Sequence, residues 1–210
     1  MGNMLRARAM VNISPNPQTS FRPESAKPRI YPTAYVHPSA CVIGDVEIGP
    51  EVMVAPFASV RADEGAPFFI GARSNVQDGV VVHALESCGP HAERNTVEVG
   101  GLRYAVYVGE RVSLAHQCQL HGPCLVEEDC FIGMQALLFR ARVGRGSVVE
   151  PCAKVMGVTV PPERYVKAGS ILSEQAEADA LPRIDEGYAF RALNAEVVKV
   201  NTELARAYRS

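Results

Sequence analysis

Aliphatic side chains recur at every sixth position through the middle of the chain. The repeat is clearest between residues 107 and 140, where the aliphatic positions are Val108, Leu114, Leu120, Val126, Ile132 and Leu138. Four positions after five of them stand small or short side chains, namely Val112, Cys118, Cys124, Cys130 and Ala136. This pattern is typical of a parallel β-helix in which three hexapeptides form one triangular coil. We therefore predict a mainly β fold, a left-handed parallel β-helix of hexapeptide repeats.

The same repeat extends in both directions from this stretch. It begins near Tyr35, and its inward positions before residue 85 are Val36, Val42, Ile48, Val54, Val60, Ile70, Val76 and Val82. Beyond Leu138 it shifts by one residue and continues at Val143, Val149 and Val155. Insertions at about 65–69 and 85–107 interrupt the repeat, and loops that interrupt a solenoid usually lie on its working face.

The end of the chain changes to a helical period. Residues 173–180 are expected to form a short helix, and Asp185 is the expected N-cap of a longer one. The apolar face of the longer helix would consist of Tyr188, Leu193, Val197, Val200 and Leu204. We predict an N-terminal arm over residues 1–30, a β-helix domain over 31–170, and C-terminal helices packed on that domain over 171–210.

Composition narrows the classes of function. Hydrophobic residues make up 47% of the 210 positions, but no apolar run approaches the roughly 18–20 residues that a membrane span needs. The net charge of −2, without a cluster of Lys or Arg, argues against nucleic acid as the main partner. Three of the six cysteines occupy the small fifth position of the repeat, which favours reduced thiols. Because no signal peptide is evident, we expect a cytoplasmic protein.

The repeat also predicts which polar side chains share a face. Successive hexapeptides occupy the three faces in turn, so each face is revisited one coil higher, after a rise of about 4.8 Å. If neither insertion uses a face, His83 and His121 lie side by side in consecutive coils. Gln77, Asp78 and His116 then lie on a different face. A metal ion held by all three histidines would need His116 from another copy, which predicts a trimer with one ion at each subunit contact.

The three histidines have the chemistry of a catalytic metal site. Imidazole is the usual ligand of zinc and also suits ferrous iron. Three protein ligands leave a position for water, and such a metal lowers the pKa of that water toward 7. Three of the five histidines fall on these related positions, which favours a metal site over isolated surface histidines. Of the others, His37 is expected at the surface, and His91, in the second insertion, is a candidate secondary proton carrier.

Four short stretches carry a family resemblance. They are VRADEG at 60–65, SNVQDG at 74–79, HALE at 83–86 and SLAHQCQLHG at 113–122. Together they resemble the γ-class carbonic anhydrases, and within them the prototype-like subclass that has both glutamates of the proton route. The resemblance covers residues 31 to about 205. It implies reversible hydration of carbon dioxide to bicarbonate, the reaction of a carbonate dehydratase, which is a lyase.

The resemblance further implies a homotrimer with zinc or ferrous iron at each subunit contact. His83 and His121 of one subunit and His116 of the next would bind the ion, in agreement with the count of faces. A metal-bound hydroxide would attack carbon dioxide, and Gln77 would orient that hydroxide. No nucleic acid or membrane partner is implied.

A proton route is implied for the same site. Glu64 would accept the proton beside the metal, and Glu86 would pass it to buffer, because a carboxylate can shuttle protons when its surroundings raise its pKa. Two departures from the family prototype bear on this route. Lys199 stands where the prototype has a Tyr, and the loop after Glu86 is shorter and less acidic, so proton export could use His91.

The remaining implied roles concern the subunit contact. Arg61 and Asp78, on different faces, would pair across it, and Asp63 and Asn75 would support that network. Arg61 and Asn201 would also line the active site, Asn201 from the C-terminal helix.

Three other functions stay open at this point. A hexapeptide acyltransferase needs one general-base histidine and a groove for an acyl carrier, and has no need of three metal-spaced histidines. A non-catalytic trimeric scaffold or bicarbonate-binding protein would have no use for Glu64, Gln77 and Glu86. A metal-storage protein would bind metal without hydrating carbon dioxide.

Overall fold

The fold is built from short parallel strands that wind around a triangular prism. The computed structural model describes residues 12–210. In chain order the strands are β1 (Ile13–Ser14), β2 (Arg29–Ile30), β3 (Tyr35–Val36), β4 (Cys41–Gly44), β5 (Val46–Ile48), β6 (Met53–Val54), β7 (Ser59–Ala62), β8 (Phe68–Ile70), β9 (Asn75–Val76), β10 (Val81–Ala84), β11 (Val97–Val99), β12 (Leu102–Tyr104), β13 (Val106–Val108), β14 (Ser113–Leu114), β15 (Gln119–Gly122), β16 (Cys124–Val126), β17 (Phe131–Ile132), β18 (Leu137–Phe139), β19 (Arg142–Val143), β20 (Val148–Val149), β21 (Lys154–Met156), β22 (Thr159–Val160), β23 (Tyr165–Val166) and β24 (Ile171–Leu172).

Three parallel sheets form the walls of the prism. The first sheet has eight strands, β1, β4, β7, β10, β15, β18, β21 and β24. The second and third have seven each: β2, β5, β8, β13, β16, β19 and β22 in one, and β3, β6, β9, β14, β17, β20 and β23 in the other. The solenoid with a C-terminal helix confirms the predicted hexapeptide-repeat fold.

The aliphatic repeat supplies the interior of the prism. Val60, Ile70, Val76 and Val82 are completely buried, as are the later repeat positions. Coils approach closely at the corner between the second and third sheets, where a Cβ at Gly71 would lie 2.5 Å from the carbonyl carbon of Gly109. Aliphatic residues thus fill the core, and corners admit small residues because backbone meets backbone there.

The register of the first sheet confirms the predicted count of faces. Strand β10 pairs with β7 through Val82 and Val60, and with β15 through Val82 and Leu120. The two insertions therefore leave the register unchanged, but their predicted bounds were too wide, since Phe68–Phe69 and Val106–Tyr107 belong to β8 and β13. The second insertion folds as a short 3₁₀ helix, Gly89–His91, and an antiparallel hairpin of β11 and β12.

The described part of the predicted N-terminal arm joins the solenoid. Strand β1 pairs with β4, and β2 pairs with β5. Residues 1–11 of that arm lie outside the described part of the chain, and the three proposed boundaries remain predictions. No helix within residues 12–210 has the length and apolar character needed to span a bilayer.

The longer C-terminal helix begins later in the chain than predicted. Helix α1 spans Gln175–Asp179 and helix α2 spans Leu193–Ala207, so the expected N-cap at Asp185 was wrong. Asp185 instead accepts a hydrogen bond from the backbone N–H of Gly187, which makes a local turn. Tyr188 lies before α2, where its ring stacks on Tyr165 at 4.2 Å between centroids.

The buried face of α2 also differs from the predicted apolar face. Its buried residues are Asn194, Val198, Thr202 and Ala205, whereas Val200 and Leu204 are 55% and 40% exposed. The helix packs on the third sheet near a corner that presents backbone carbonyls, and Asn194 Nδ2 donates to the carbonyl of Arg111 at 2.8 Å. Of the predicted apolar face, Leu193 and Val197 pack against Ala115, Phe131 and Val148 of the third sheet, so the prediction was right for this part of the helix and wrong for Val200 and Leu204.

All six cysteines are free thiols. Cys118, Cys124 and Cys130 are buried inside the prism, and burial raises the pKa of Cys124 to about 11 and that of Cys130 to about 12. Burial also raises the pKa of Cys118. By contrast, Cys152 is exposed.

We predict that a thiol reagent at pH 8 labels Cys152 in the native protein and leaves Cys118, Cys124 and Cys130 unlabelled until unfolding. The thiolate is the reactive form, and burial disfavours it at the three interior sites. Mass mapping of labelled peptides measures the outcome. The variant Cys152→Ser serves as the control and should lose the fast reaction, while rapid labelling of an interior thiol would contradict the packing.

Candidate metal centre

His83 and His121 stand side by side on the outside of the first sheet. They are register partners in β10 and β15, and their ring centroids lie 5.4 Å apart with the rings near perpendicular, at 74°. Each follows an inward aliphatic residue, Val82 or Leu120, and successive side chains of a strand point to opposite faces. The hexapeptide core therefore directs both imidazoles outward at the same height in neighbouring coils.

Ring nitrogens at this site are buried without hydrogen-bond partners. Within residues 12–210, Nε2 of His83, Nδ1 of His121 and Oδ1 of Asp63 have no partner. Burial lowers the pKa of His121, and the neighbouring His83 lowers it further. Neutral imidazoles with free lone pairs are the form that binds a metal ion. Unpartnered buried polar atoms are uncommon, so this donor set fits a cation.

Two carboxylates extend the donor set around His83. Its Nε2 lies 3.2 Å from Oε1 of Glu64 and 3.4 Å from Oδ1 of Asp63, without hydrogen-bond geometry. The potential donor atoms of these three residues lie within 4.8 Å of one another, which no other group of three in the described chain matches. Nitrogen and oxygen donors of this kind suit zinc or ferrous iron. The sequence had indicated Glu64 for proton transfer, and the geometry also makes its carboxylate a potential ligand.

His116 occupies a different part of the chain, at the corner between the third and first sheets. Its side chain is 56% exposed, and its Nδ1 lies 3.1 Å from Oδ2 of Asp78. A carboxylate in contact with one ring nitrogen is typical of metal-binding histidines, since it orients the ring and leaves the other nitrogen free. His116 lines a cavity of about 500 Å³ together with Gln77 and Asn201. Within one chain His116 is therefore separate from the pair of His83 and His121, and these two positions are called half-sites below.

The amide of Gln77 is held in place by a buried hydrogen-bond chain. Gln77 is 7% exposed, and its Nε2 donates to Oδ1 of Asn75 at 2.9 Å. Asn75 in turn donates to Oγ of Ser113 at 3.0 Å in the next coil. The orientation of Gln77 is therefore fixed by the third sheet. Asn201, on α2, donates to the carbonyl of Val197 at 3.0 Å.

Arg61 and Asp78, which were predicted to pair across the subunit contact, each contact a residue of their own chain. Arg61 donates to Oδ2 of Asp63 at 3.1 Å, and Asp78 contacts His116 as described. The pairing of Arg61 with Asp78 involves two copies and stays a prediction. Glu86 is half-buried at the start of the second insertion, and the ring of His37 contacts Oγ of Ser39 at 2.8 Å.

Three residues that sequence reasoning missed hold the loops of the two glutamates. Arg22, 8% exposed, donates to the carbonyls of Ala62 and Gly65, which flank Asp63 and Glu64. The backbone N–H of Ser87 donates to the carbonyl of Glu64 at 2.8 Å, and the backbone N–H of Ala66 donates to Ser87 Oγ at 2.7 Å. Asn95 Nδ2 donates to the carbonyl of Glu86 at 2.5 Å.

No local signal in the sequence marks these contacts. Arg22 lies 40 residues before Ala62, in a segment without a repeat, and only the return of the chain along the prism brings the two together. Ser87 and Asn95 lie within the second insertion, where the hexapeptide pattern gives no register. The loops of Glu64 and Glu86 are nevertheless joined directly through Ser87.

Lys199, the departure from the family pattern, does not share a cavity with Asn201. Asn201 lines the cavity beside His116, whereas Lys199 lines a second groove on the other side of α2. Its side chain is therefore directed away from the half-site of His116 within the chain.

The sequence of the chain is similar to those of a carbonic anhydrase and a carboxysome assembly protein. No family model matches the chain. A carbonic anhydrase from Methanosarcina thermophila is 54% identical over 201 residues, which cover 94% of this chain and 81% of that protein. The carboxysome assembly protein CcmM of a Nostoc species is 40% identical over 195 residues, which cover 91% of this chain but 33% of that protein.

Solved structures agree on the architecture. A Bacillus cereus protein named as an acetyltransferase superposes with a TM-score of 0.71 over 94% of this chain and 97% of its own, at 22% identity. This likeness supports the hexapeptide-repeat fold alone. The 54% identity over nearly the whole chain, together with the paired outward histidines, leads to one conclusion: the chain belongs to the γ-class carbonic anhydrase family.

Proposed function

We propose that this protein is a metal-dependent carbonic anhydrase that catalyses the reversible hydration of carbon dioxide to bicarbonate. One observation carries the proposal: His83 and His121 are register partners whose buried ring nitrogens lack partners within the described chain. Two imidazoles do not complete a typical catalytic site, which takes three protein ligands. The third is His116 of a neighbouring copy in a homotrimer.

The proposed trimer follows from the position of the half-sites. His83 and His121 lie on the first sheet, and His116 lies at the corner of the third and first sheets. Copies related by a closed threefold axis can join one half-site to the other at each of three equivalent contacts. Arg61 of one copy and Asp78 of the next would pair across this contact, with Asp63 and Asn75 behind them.

Zn²⁺ or Fe²⁺ held by the three histidines would supply a water molecule whose pKa is lowered toward neutrality. Gln77 orients the reacting water through its side-chain amide, because the hydrogen bond to Asn75 fixes that amide before substrate arrives. Asn201 and Arg61 line the space in which carbon dioxide and bicarbonate bind. Preorganised polar groups of this kind cost no reorganisation during the reaction.

The two glutamates move the proton away. The carboxylate of Glu64 lies beside His83, with 3.2 Å between Oε1 and Nε2, and is placed to accept a proton at the reaction centre. Glu86 is half-buried on the adjoining loop and passes the proton to buffer. The hydrogen bonds of Ser87 hold the two loops that carry these glutamates together.

A scaffold function is the second candidate. It is favoured by the similarity to the carboxysome assembly protein, of which this chain spans 33% of the length. A non-catalytic scaffold or bicarbonate-binding protein would keep the trimer and lose the proton route. The half-buried Glu86 and the position of the Glu64 carboxylate beside His83 favour the enzyme. The acyltransferase alternative has only the shared fold in its support.

We predict that His116→Ala removes the bound metal and lowers carbon dioxide hydration at least about hundredfold, because the site loses one of three ligands. The fold should persist, since the side chain is 56% exposed and outside the core, and the trimer should persist because the other residues of the proposed contact, such as Arg61 and Asp78, are unchanged. Elemental analysis, stopped-flow hydration and light scattering on anaerobically purified protein measure the three quantities. His37→Ala is the matched control, and full metal content in His116→Ala would show the ligand assignment to be wrong.

We predict that Glu86→Ala slows turnover about tenfold or more in a poorly buffered solution, the scale of a lost proton-transfer group. Imidazole added as a small buffer should restore part of the rate, because it carries the proton in place of the carboxylate. Glu93→Ala removes an 84% exposed carboxylate from the same insertion and should leave the rate unchanged. An unchanged rate in Glu86→Ala would remove Glu86 from the mechanism.

A further inference from the structure

The carboxylate of Glu64 lies on a loop that the hexapeptide core does not hold. Glu64 belongs to residues 63–67, between β7 and β8, where the first insertion interrupts the repeat. Its side chain is 37% exposed, and its Oε1 lies 3.2 Å from Nε2 of His83. None of the inward aliphatic positions of the repeat falls in this loop. Contacts from other segments are therefore needed to fix its conformation.

One arginine bonds to both ends of this loop. Nη1 of Arg22 donates to the carbonyl of Ala62 at 3.3 Å and also to the carbonyl of Gly65. These carbonyls flank Asp63 and Glu64, so a single nitrogen atom fixes the separation of the two ends of the segment that carries both carboxylates. Hydrogen bonds from a charged donor are stronger than those from a neutral one.

Ser87 provides a second anchor for the loop. Its backbone N–H donates to the carbonyl of Glu64 at 2.8 Å. Gly65 packs closely on it, since a Cβ at Gly65 would lie 2.8 Å from the carbonyl carbon of Ser87. Gly65 also has a φ of +134°, a conformation that suits glycine. The loop is therefore held by Arg22 and Ser87 together, and loss of Arg22 leaves one anchor.

Arg22 is itself held in an ordered part of the N-terminal arm. It is 8% exposed, its backbone N–H donates to Oγ1 of Thr19 at 3.0 Å, and its carbonyl accepts from the N–H of Thr19 at 2.9 Å. Asn16, 2% exposed, donates to the carbonyl of Glu24 at 3.0 Å and accepts from the N–H of Ala26 at 2.8 Å. The arm thus presents the guanidinium in a fixed position.

The guanidinium of Arg22 makes its hydrogen bonds to carbonyl groups, without a close carboxylate. Among residues 12–210 the carboxylate within 4.0 Å of it belongs to Asp45, at 3.9 Å from Nη2. Asp45 is closer to a second arginine, since its Oδ1 lies 2.9 Å from Nη1 of Arg29. A buried charge is costly unless hydrogen bonds compensate it. For Arg22 that compensation comes from the Glu64 loop.

We propose that Arg22 is a positioning residue for Glu64, and that the N-terminal arm takes part in proton transfer through it. By binding the carbonyls of Ala62 and Gly65, Arg22 keeps the loop in the conformation that places the Glu64 carboxylate beside His83. A proton acceptor must lie within hydrogen-bond reach of the proton that it takes. The inference rests on the proposed function, in which Glu64 accepts the proton at the metal centre.

Hydrogen exchange of the full-length protein tests the contact without measuring activity. Arg22→Met keeps the aliphatic stem and removes the donors, so the amides of Ala66 and Ser87 should exchange at least about tenfold faster, the scale of one lost hydrogen bond to a charged group. Arg29→Met is the matched control. Arg29 is 60% exposed, belongs to the same arm and pairs with Asp45, but its hydrogen bonds within residues 12–210 do not reach the loop.

Carbon dioxide hydration tests the positioning role. Arg22→Met should lower the rate per bound metal about tenfold or more, because a small misplacement of a reacting group is costly. Arg22→Lys keeps one cationic donor and should give a rate between those of the wild-type protein and Arg22→Met, while Arg29→Met should leave the rate unchanged. Stopped-flow kinetics, elemental analysis and the melting temperature give the rate, the metal content and the folded state of each variant.

A double variant separates positioning from a purely structural role. Glu64→Gln removes the proton acceptor, and adding Arg22→Met to it should cause no further loss of rate, because Arg22 acts through the Glu64 carboxylate. If Arg22 only stabilised the fold, the two losses would multiply.

The possible failures are distinguishable. With an active wild-type protein, unchanged exchange of Ala66 and Ser87 in Arg22→Met would overturn the contact. Faster exchange with an unchanged hydration rate would remove Arg22 from proton transfer, and multiplied losses in the double variant would make its role structural. A wild-type protein that binds metal but does not hydrate carbon dioxide would overturn the proposed function and this inference together.

Discussion

The inward aliphatic side chain of each hexapeptide is the constraint on which the rest of the structure depends. Val82 and Leu120 both point into the prism, so the histidines that follow them both point outward, one coil apart. A shift of one residue in either coil would turn a histidine into the core. The register that buries the aliphatic core is therefore the same register that sets the 5.4 Å separation of the two imidazoles.

Buried polar atoms without hydrogen-bond partners are concentrated in two regions of the described chain. Six such side-chain atoms occur in the described chain, and five of them lie in these regions. They belong to Asp63, His83 and His121 on the first sheet and to Asn194 and Thr202 on the buried face of α2. Leaving a buried polar atom unsatisfied costs about 1–3 kcal/mol. The continuous, well-packed aliphatic interior stabilises the solenoid and offsets this cost at both sites.

Helix α2 separates the cavity of His116 from the groove lined by Lys199. Asn201 and Lys199 are two positions apart in sequence, and residues at that spacing do not face each other on a helix. One therefore lines the cavity of His116, and the other lines the second groove. In this rotation the helix buries Asn194, Val198, Thr202 and Ala205, and Leu193 and Val197 pack on apolar side chains of the third sheet.

The sequence by itself determined the repeat, the three walls, the buried cysteines and the neighbouring positions of His83 and His121, because a six-residue period counts faces without any other information. It did not determine the start of α2, since Asp185 resembles an N-cap but makes a turn, nor that Asn194 and Thr202 share the buried face with Val198 and Ala205. Only the tertiary structure decided that Arg22 and Ser87 hold the Glu64 loop. Those contacts join residues that are distant along the chain or lie in insertions, where periodicity carries no register.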